Sequence, residues 1–333
     1  MSIYMGLFVV YYTRREGELP YMDIGIQPPV ERRKKKRMKK EGLVLLAMAV
    51  PFVAFVFAFS YVPLFGWIYA FFDYKPGIEL FHSKFVGMKY FLLMLSDGGD
   101  MLRVLRNTLA MAFLGIACSV VPVVFAIMVS ECSSKGFQKL IQTTTTLPNF
   151  VSWIIVYSLA FNLFSSEGLL NTLLLKLNLI SEPTKILSNE KAVWYFQTAL
   201  GLWKGTGWNA IIYLAAITGI DRELYDAASV DGAGRFNRIL HITIPGLSST
   251  YVVLLLLSAS NILSVGLDQY LVFYNSMVAD KIEVLDYYVY RIGLVTQDYS
   301  YSIAIGIFKT VVSVILLFSI NTFSKRIRGN SII

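Results

Sequence analysis

Charge is scarce in this chain. Only 16% of its 333 residues are Asp, Glu, Lys or Arg, against roughly a quarter in soluble domains, which excludes an ordinary soluble globular protein. Two histidines and two cysteines leave few ligands for a metal centre, and no His/Cys/Glu cluster has metal-ligand spacing. Cys118 falls inside an apolar run and Cys132 at the end of one, so neither belongs to a disulfide framework. A G-x-x-x-x-G-K-[ST] phosphate loop is missing, which excludes ATP hydrolysis by these residues. No repeat of solenoid length and no Ser/Gly-rich linker divides the chain. No acid, base and nucleophile come together in the sequence, so the expectation is a protein that is not an enzyme and holds no cofactor or metal of its own.

What is abundant is apolar length. Hydrophobic residues make up 56% of the chain and mean hydropathy is +0.58. A helix needs about 20 apolar residues to cross a ~30 Å hydrocarbon layer, and six runs qualify: 43–66, 104–130, 147–165, 196–219, 244–265 and 303–323. Each must be helical, because lipid offers backbone groups no hydrogen-bonding partner. The expected fold is an all-α membrane protein with one six-helix domain, 43–323. A basic tail, 1–42, precedes it, and a short tail, 324–333, follows. Residues 1–30 read as a loose tail or a start-site extension, with no small-residue cleavage site of the kind a signal peptide needs.

Basic residues orient the spans. With the N-terminus inside, segments 1–42, 131–146, 220–243 and 324–333 carry 18 of the 30 Lys/Arg, and the outer loops carry 10. The positive-inside rule therefore puts both termini in the cytoplasm. The cluster Arg32–Arg37 with Lys39 and Lys40 abuts the first span, where anionic headgroups are a more natural partner than nucleic acid. Outside, segment 166–181 has helical leucine spacing suited to the interface. Segment 278–302, acidic and tyrosine-rich, reads as a docking surface.

The polar stretch from Asp221 to Pro245 lies between two apolar runs on the cytoplasmic side. Asp221 is a good N-cap, and Glu223 sits in the first turn, where the helix dipole favours acids. A helix Arg222–Val230 is expected, then a turn permitted by Gly232 and Gly234. A second helix, about 235–241, should end ahead of Pro245, which restarts the chain into the fifth span. Such an elbow is a lever. Its small Ala227 and Ala228 let another protein approach the backbone.

Within it, Asp226-Ala227-Ala228, three residues, Gly232, nine residues, Ile242, one residue, Ile244 and Pro245 resemble the EAA signature of ABC importer membrane subunits, EAA-x3-G-x9-I-x-L-P. Asp226 replaces Glu and Ile244 replaces Leu, and both changes keep the chemistry. Several further segments are similar to the oligosaccharide, LplB-like branch of that superfamily, akin to the larger maltose-type permease. They are Tyr61–Gly66, Ala70–Pro76, Leu105–Thr108, Leu147–Trp153, Gly266–Gln269 and Asp286–Arg291. The resemblance spans about 40–330. It implies a type I importer fold and a site where Glu223, Asp226–Ala228, Asp231–Gly234, Ile242 and Pro245 grip an ATPase dimer that hydrolyses ATP with Mg. It further implies a second homologous permease, an extracytoplasmic solute-binding protein and an oligosaccharide substrate.

Candidates for the substrate path are polar or aromatic groups in the spans. Lys204 and Lys309 lie in outer halves of the fourth and sixth spans, where buried charge marks either cargo contact or helix packing. Asn261, Asp268 and Gln269, at the outer end of the fifth span, offer amide and carboxylate groups to sugar hydroxyls. Trp153, Tyr157 and Phe161 make a stripe that either lines a sugar path or packs between helices. Two other readings compete. An ion-driven secondary transporter would show inverted repeats and leave the elbow unexplained. An importer of peptide or lipid would share the elbow.

Overall fold

The computed structural model describes residues 40–96 and 98–328. The basic cluster at 32–37 with Lys39, most of the N-terminal tail and residues 329–333 lie outside them. The chain falls into two units, Met1–Tyr61 and Val62–Ile333. The described part of the first is α1 (Lys40–Val56) and a π-turn, Phe57–Tyr61. Pro51 lies inside α1, a position that membrane helices tolerate.

The second unit opens with a 3-10 segment, Val62–Phe71. It continues through α2 (Lys89–Ser96), α3 (Gly98–Ala117), α4 (Val120–Ser130), α5 (Lys135–Thr146), α6 (Trp153–Phe164) and α7 (Leu169–Lys176). Then come α8 (Val193–Thr218), α9 (Arg222–Val230), α10 (Arg235–Arg238), α11 (Ile244–Ser260) and α12 (Asp268–Phe273). After these come α13 (Ala279–Ile282), α14 (Leu285–Tyr290) and the long α15 (Tyr299–Arg328). Among the described residues there is no strand, only an isolated antiparallel bridge between Phe72 and Phe85.

Among the described residues, five helical stretches are long and apolar enough to cross a membrane: Gly42–Phe71, Gly99–Ser130, Trp153–Lys176, Arg235–Ser260 and Tyr299–Thr322. The expected fourth span is α8, whose 26 residues give about 39 Å of helix. Lys204, Asn209, Gln197 and three glycines make α8 too polar to count by composition, so five of the six runs stand on that measure. The third run is also broken. Its start is a 3-10 turn, Leu147–Phe150, and α6 begins only after Ser152, which caps it by accepting from the Ile155 N–H at 3.4 Å.

Packing explains why α8 holds polar residues. Gly207 lies against the backbone of Thr145 and Thr146 at the end of α5, and any Cβ there would collide with it. Close approach through small residues is how helices associate in lipid, where no hydrophobic force drives them together. Ala126, Ile127, Ala210, Tyr213 and Leu247 form a core between α4, α8 and α11. A second core joins α12 to α14 with α6 and α8 through Ala160, Val193, Tyr270, Phe273 and Tyr287. A third joins α2, α3, α14 and α15 through Met94, Val104, Leu285, Tyr288 and Ile305.

Candidate coupling elbow and translocation cavity

The elbow begins as its residues require. The Asp221 carboxylate accepts the Glu223 N–H at 3.0 Å and starts α9. Gly232 ends it with φ of +75°. The Gly232 N–H donates to the Ser229 carbonyl at 3.2 Å, and the Ala233 N–H to the Ala228 carbonyl at 2.8 Å. That pair of bonds is a Schellman cap, which needs a left-handed residue at the Gly232 position. A Cβ on Gly232 would meet nothing within 4 Å, so backbone conformation rather than crowding within the chain demands glycine there. Gly234 differs: its φ of −66° and ψ of 169° suit any residue, so it is not part of the turn's conformational need.

The second helix does not stop before Pro245. From Arg235 to Ser260 the chain is one helix of 26 residues, widened by a π-turn at Ile239–Thr243 in which the Ile244 N–H reaches the Ile239 carbonyl. Proline is harmless in the first turn after such a shift, because its missing N–H falls where the hydrogen-bond ladder is already offset. The expected restart is therefore a register shift, and the elbow joins α11 rigidly.

Side chains fasten the elbow from within. The Tyr225 and Thr243 hydroxyls pair at 3.0 Å, and Arg238 donates to the Ser229 hydroxyl at 3.0 Å. Arg235 reaches Glu131 at 3.6 Å, at the end of α4. Glu223, Asp226, Ala227, Asp231, Gly232, Gly234 and Pro245 are exposed, and Ala228, Ala233 and Ile242 are half-buried. Apolar side chains stand out beside them: Val230 is 89% exposed, Phe236 86%, and Leu224 and Leu240 more than half.

A cavity of about 660 Å³ opens between α11 and α15, its wall made of apolar surface with a run of polar side chains. Asn261, Ser260, Ser264, Ser313 and Thr310 line it, with Lys309 paired to Asp286. The second Asp286 oxygen accepts the Gly266 N–H at 2.9 Å. Asn261 and Lys309, separate candidates in the sequence, thus line one cavity. Asp268 is exposed in the first turn of α12.

The other candidates serve helix contacts. Gln269 donates to the Gln197 carbonyl at 2.9 Å and its side-chain oxygen at 2.7 Å. Lys204, 9% exposed, donates to the Asn149 carbonyl at 2.6 Å and lies 5.4 Å from the Trp153 ring centre. Tyr157 meets Phe273 edge-on at 5.1 Å. The aromatic stripe packs α6 on α12 through Tyr157, while Phe161 stays exposed.

A charged cluster where α3 meets α13 and α14 left no sign in the sequence. Glu283, 1% exposed, accepts from Arg103 at 2.9 Å and Arg291 at 2.6 Å. Arg103 also reaches Asp280 at 2.6 Å, and the Asn107 amide donates to the Asp280 and Glu283 carbonyls. The Leu285 N–H donates to the Thr108 hydroxyl at 2.8 Å. Segment 278–302 is therefore largely a buried cap that locks α3, not an open docking surface. Nearby, Tyr90 donates to Asp73 at 2.8 Å, and burial with that carboxylate pushes the phenol above its ordinary pKa.

Residues 119–329, which hold the elbow, match the model of a known family, described as the binding-protein-dependent transport system inner membrane component. The chain belongs to that family. Protein LplB of Bacillus subtilis (strain 168) is 37% identical over 286 residues, 85% of this chain and 88% of that protein. The polygalacturonan/rhamnogalacturonan transport system permease protein YteP of the same strain is 36% identical over 314 residues, 93% of this permease and 97% of the other. Among solved structures, a bacterial alginate ABC transporter in complex with an alginate pentasaccharide-bound periplasmic protein has a chain that superposes with a TM-score of 0.77. It is 31% identical and covers 88% of this permease and 97% of that chain.

Proposed function

We propose that this chain is one of two permease subunits of an ABC importer, and that it carries an oligosaccharide handed over by an extracytoplasmic binding protein. A separate ATPase dimer grips the elbow Asp221–Pro245 and drives transport with ATP and Mg, so the chain itself catalyses nothing. Both termini are cytoplasmic, and α8 is the sixth crossing. Its Lys204 is held by the Asn149 carbonyl and its Gln197 by Gln269 of α12, which lowers the cost of placing them in lipid. The cavity at Asn261 and Lys309 is part of the cargo path, Asp268 stands near its outer end, and Trp153, Tyr157, Lys204 and Gln269 hold its walls.

The observation that carries this reading is the continuity of elbow and span. An exposed apolar ridge, Leu224, Val230 and Phe236, sits on a capped elbow whose second helix runs unbroken into α11 and reaches the polar cavity. A push on the ridge moves the cavity wall. The permease named for polygalacturonan and the structure bound to an alginate-loaded protein support a saccharide cargo. The test is uptake by the assembled transporter in vesicles, using a panel of short and long, neutral and uronic oligosaccharides. ATP-dependent accumulation of at least one supports the reading, and accumulation of a peptide or a lipid instead would refute it.

A further inference from the structure

A second cavity, of about 700 Å³, adjoins the polar one and shares Val289, Gly306 and Thr310 with it. Its outer wall is aromatic: Trp67, Tyr69, Tyr74 and Tyr299. Tyr74 meets Tyr69 edge-on at 4.7 Å and Tyr299 at 6.1 Å, so the three rings stand roughly at right angles and brace one another. Below them, the Tyr74 N–H donates to the Ser300 hydroxyl at 3.1 Å, and the Asp73 N–H to the Lys84 carbonyl at 2.8 Å. The loop carrying Tyr74 is thereby pinned to the start of α15.

Two features set this cavity apart from a packing gap. The Trp67 indole N–H and the hydroxyls of Tyr69, Tyr74 and Tyr299 have no hydrogen-bond partner among the described residues. The two cavities meet at Val289, Gly306 and Thr310, and a Cβ at Gly306 would meet nothing within 4 Å. A chain of rings with apolar C–H faces and polar hydroxyl edges fits such a wall. Its faces pack on the aromatics, and its edges meet N–H and O–H donors.

Resting on the oligosaccharide reading, we propose that this aromatic cavity is a second saccharide subsite. It stacks one part of a sugar chain while the hydroxyls of the next part bond in the polar cavity past Gly306. Short cargo needs one cavity and long cargo needs both.

The experiment uses the assembled transporter in phosphatidylethanolamine/phosphatidylglycerol vesicles, with disaccharide and hexasaccharide members of the transported series. Trp67→Ala should lower hexasaccharide uptake about fivefold to tenfold, the size expected for one lost aromatic contact, and leave disaccharide uptake unchanged. Trp67→Phe should restore most of the loss, and Gly306→Leu, which fills the junction, should repeat it. Equal effects on both lengths, or none, with wild-type uptake intact, would overturn the subsite while sparing the oligosaccharide reading. A Trp67→Ala defect that disappears on changing vesicle acyl-chain length would mean that a lipid tail fills the cavity, and would overturn it too. If the wild-type complex carries neither sugar, both readings fall.

Discussion

The elbow at 221–245 and the cap at 279–291 are both polar segments between spans, yet they are built oppositely. In the cap, every strong charge has a partner within the chain: Glu283 holds two arginines and Asp286 holds Lys309. In the elbow, acids and apolar side chains point outward; Tyr225 and Arg238 bond within it, and Arg235 reaches Ser133 and Glu131 outside it. The difference separates a segment that completes the fold from one that waits for a partner. Satisfied buried charge fixes position, whereas unsatisfied apolar surface of this extent marks an interaction site.

The comparison breaks first, and hardest, at Glu283. Glu283→Ala leaves Arg103 and Arg291 without their shared carboxylate, and losing one partner of a buried ion pair costs about 3–5 kcal/mol. Melting of the detergent-solubilised permease should fall sharply, and an unchanged transition would show that the cap is not what holds α3. Lys309→Met comes next. It strands Asp286, and a hydrogen bond to a charged group is worth about 1.5–3 kcal/mol. Adding Asp286→Asn should recover much of the stability. A double variant as unstable as the single would contradict a pairwise role.

Smaller in energy but larger in function is the elbow's glycine. Gly232→Val forces a β-branched residue into left-handed backbone, at about 1–2 kcal/mol. That is too little to unfold the chain and enough to tilt α9 against α10. Uptake and stimulated ATPase activity should be lost while membrane insertion persists. Gly234→Ala is the sharpening control. Its extended backbone and open surroundings accept a Cβ, so uptake should match the wild type. If both variants transport normally, the cap at Gly232 is irrelevant to coupling.

The elbow was legible because its signals are local. A cap, a glycine and a proline act within one or two turns, so their spacing alone announces two helices and a turn. Apolar length likewise announced six spans, and five of them are helices long and apolar enough to cross a membrane. Gly234 and the proline were misjudged: Gly234 has ordinary extended backbone, and a π-turn that shifts the hydrogen-bond register leaves no mark in composition. The cap was illegible for the opposite reason. Arg103 and Glu283 lie 180 positions apart, and nothing near either residue tells an acidic surface from an acid already claimed by a distant arginine. The same holds for Lys204, whose partner is a backbone carbonyl at Asn149. In lipid, a buried cation needs an acceptor, but its sequence neighbours do not name one.

The central claim is that the apolar ridge of the elbow is the surface an ATPase grips. Phe236 tests it most directly, because it is 86% exposed. Phe236→Asp should leave the permease in the membrane, with its melting transition intact, yet abolish co-purification of the ATPase and ATP-driven uptake. A variant that still binds the ATPase and transports like the wild type would contradict the account.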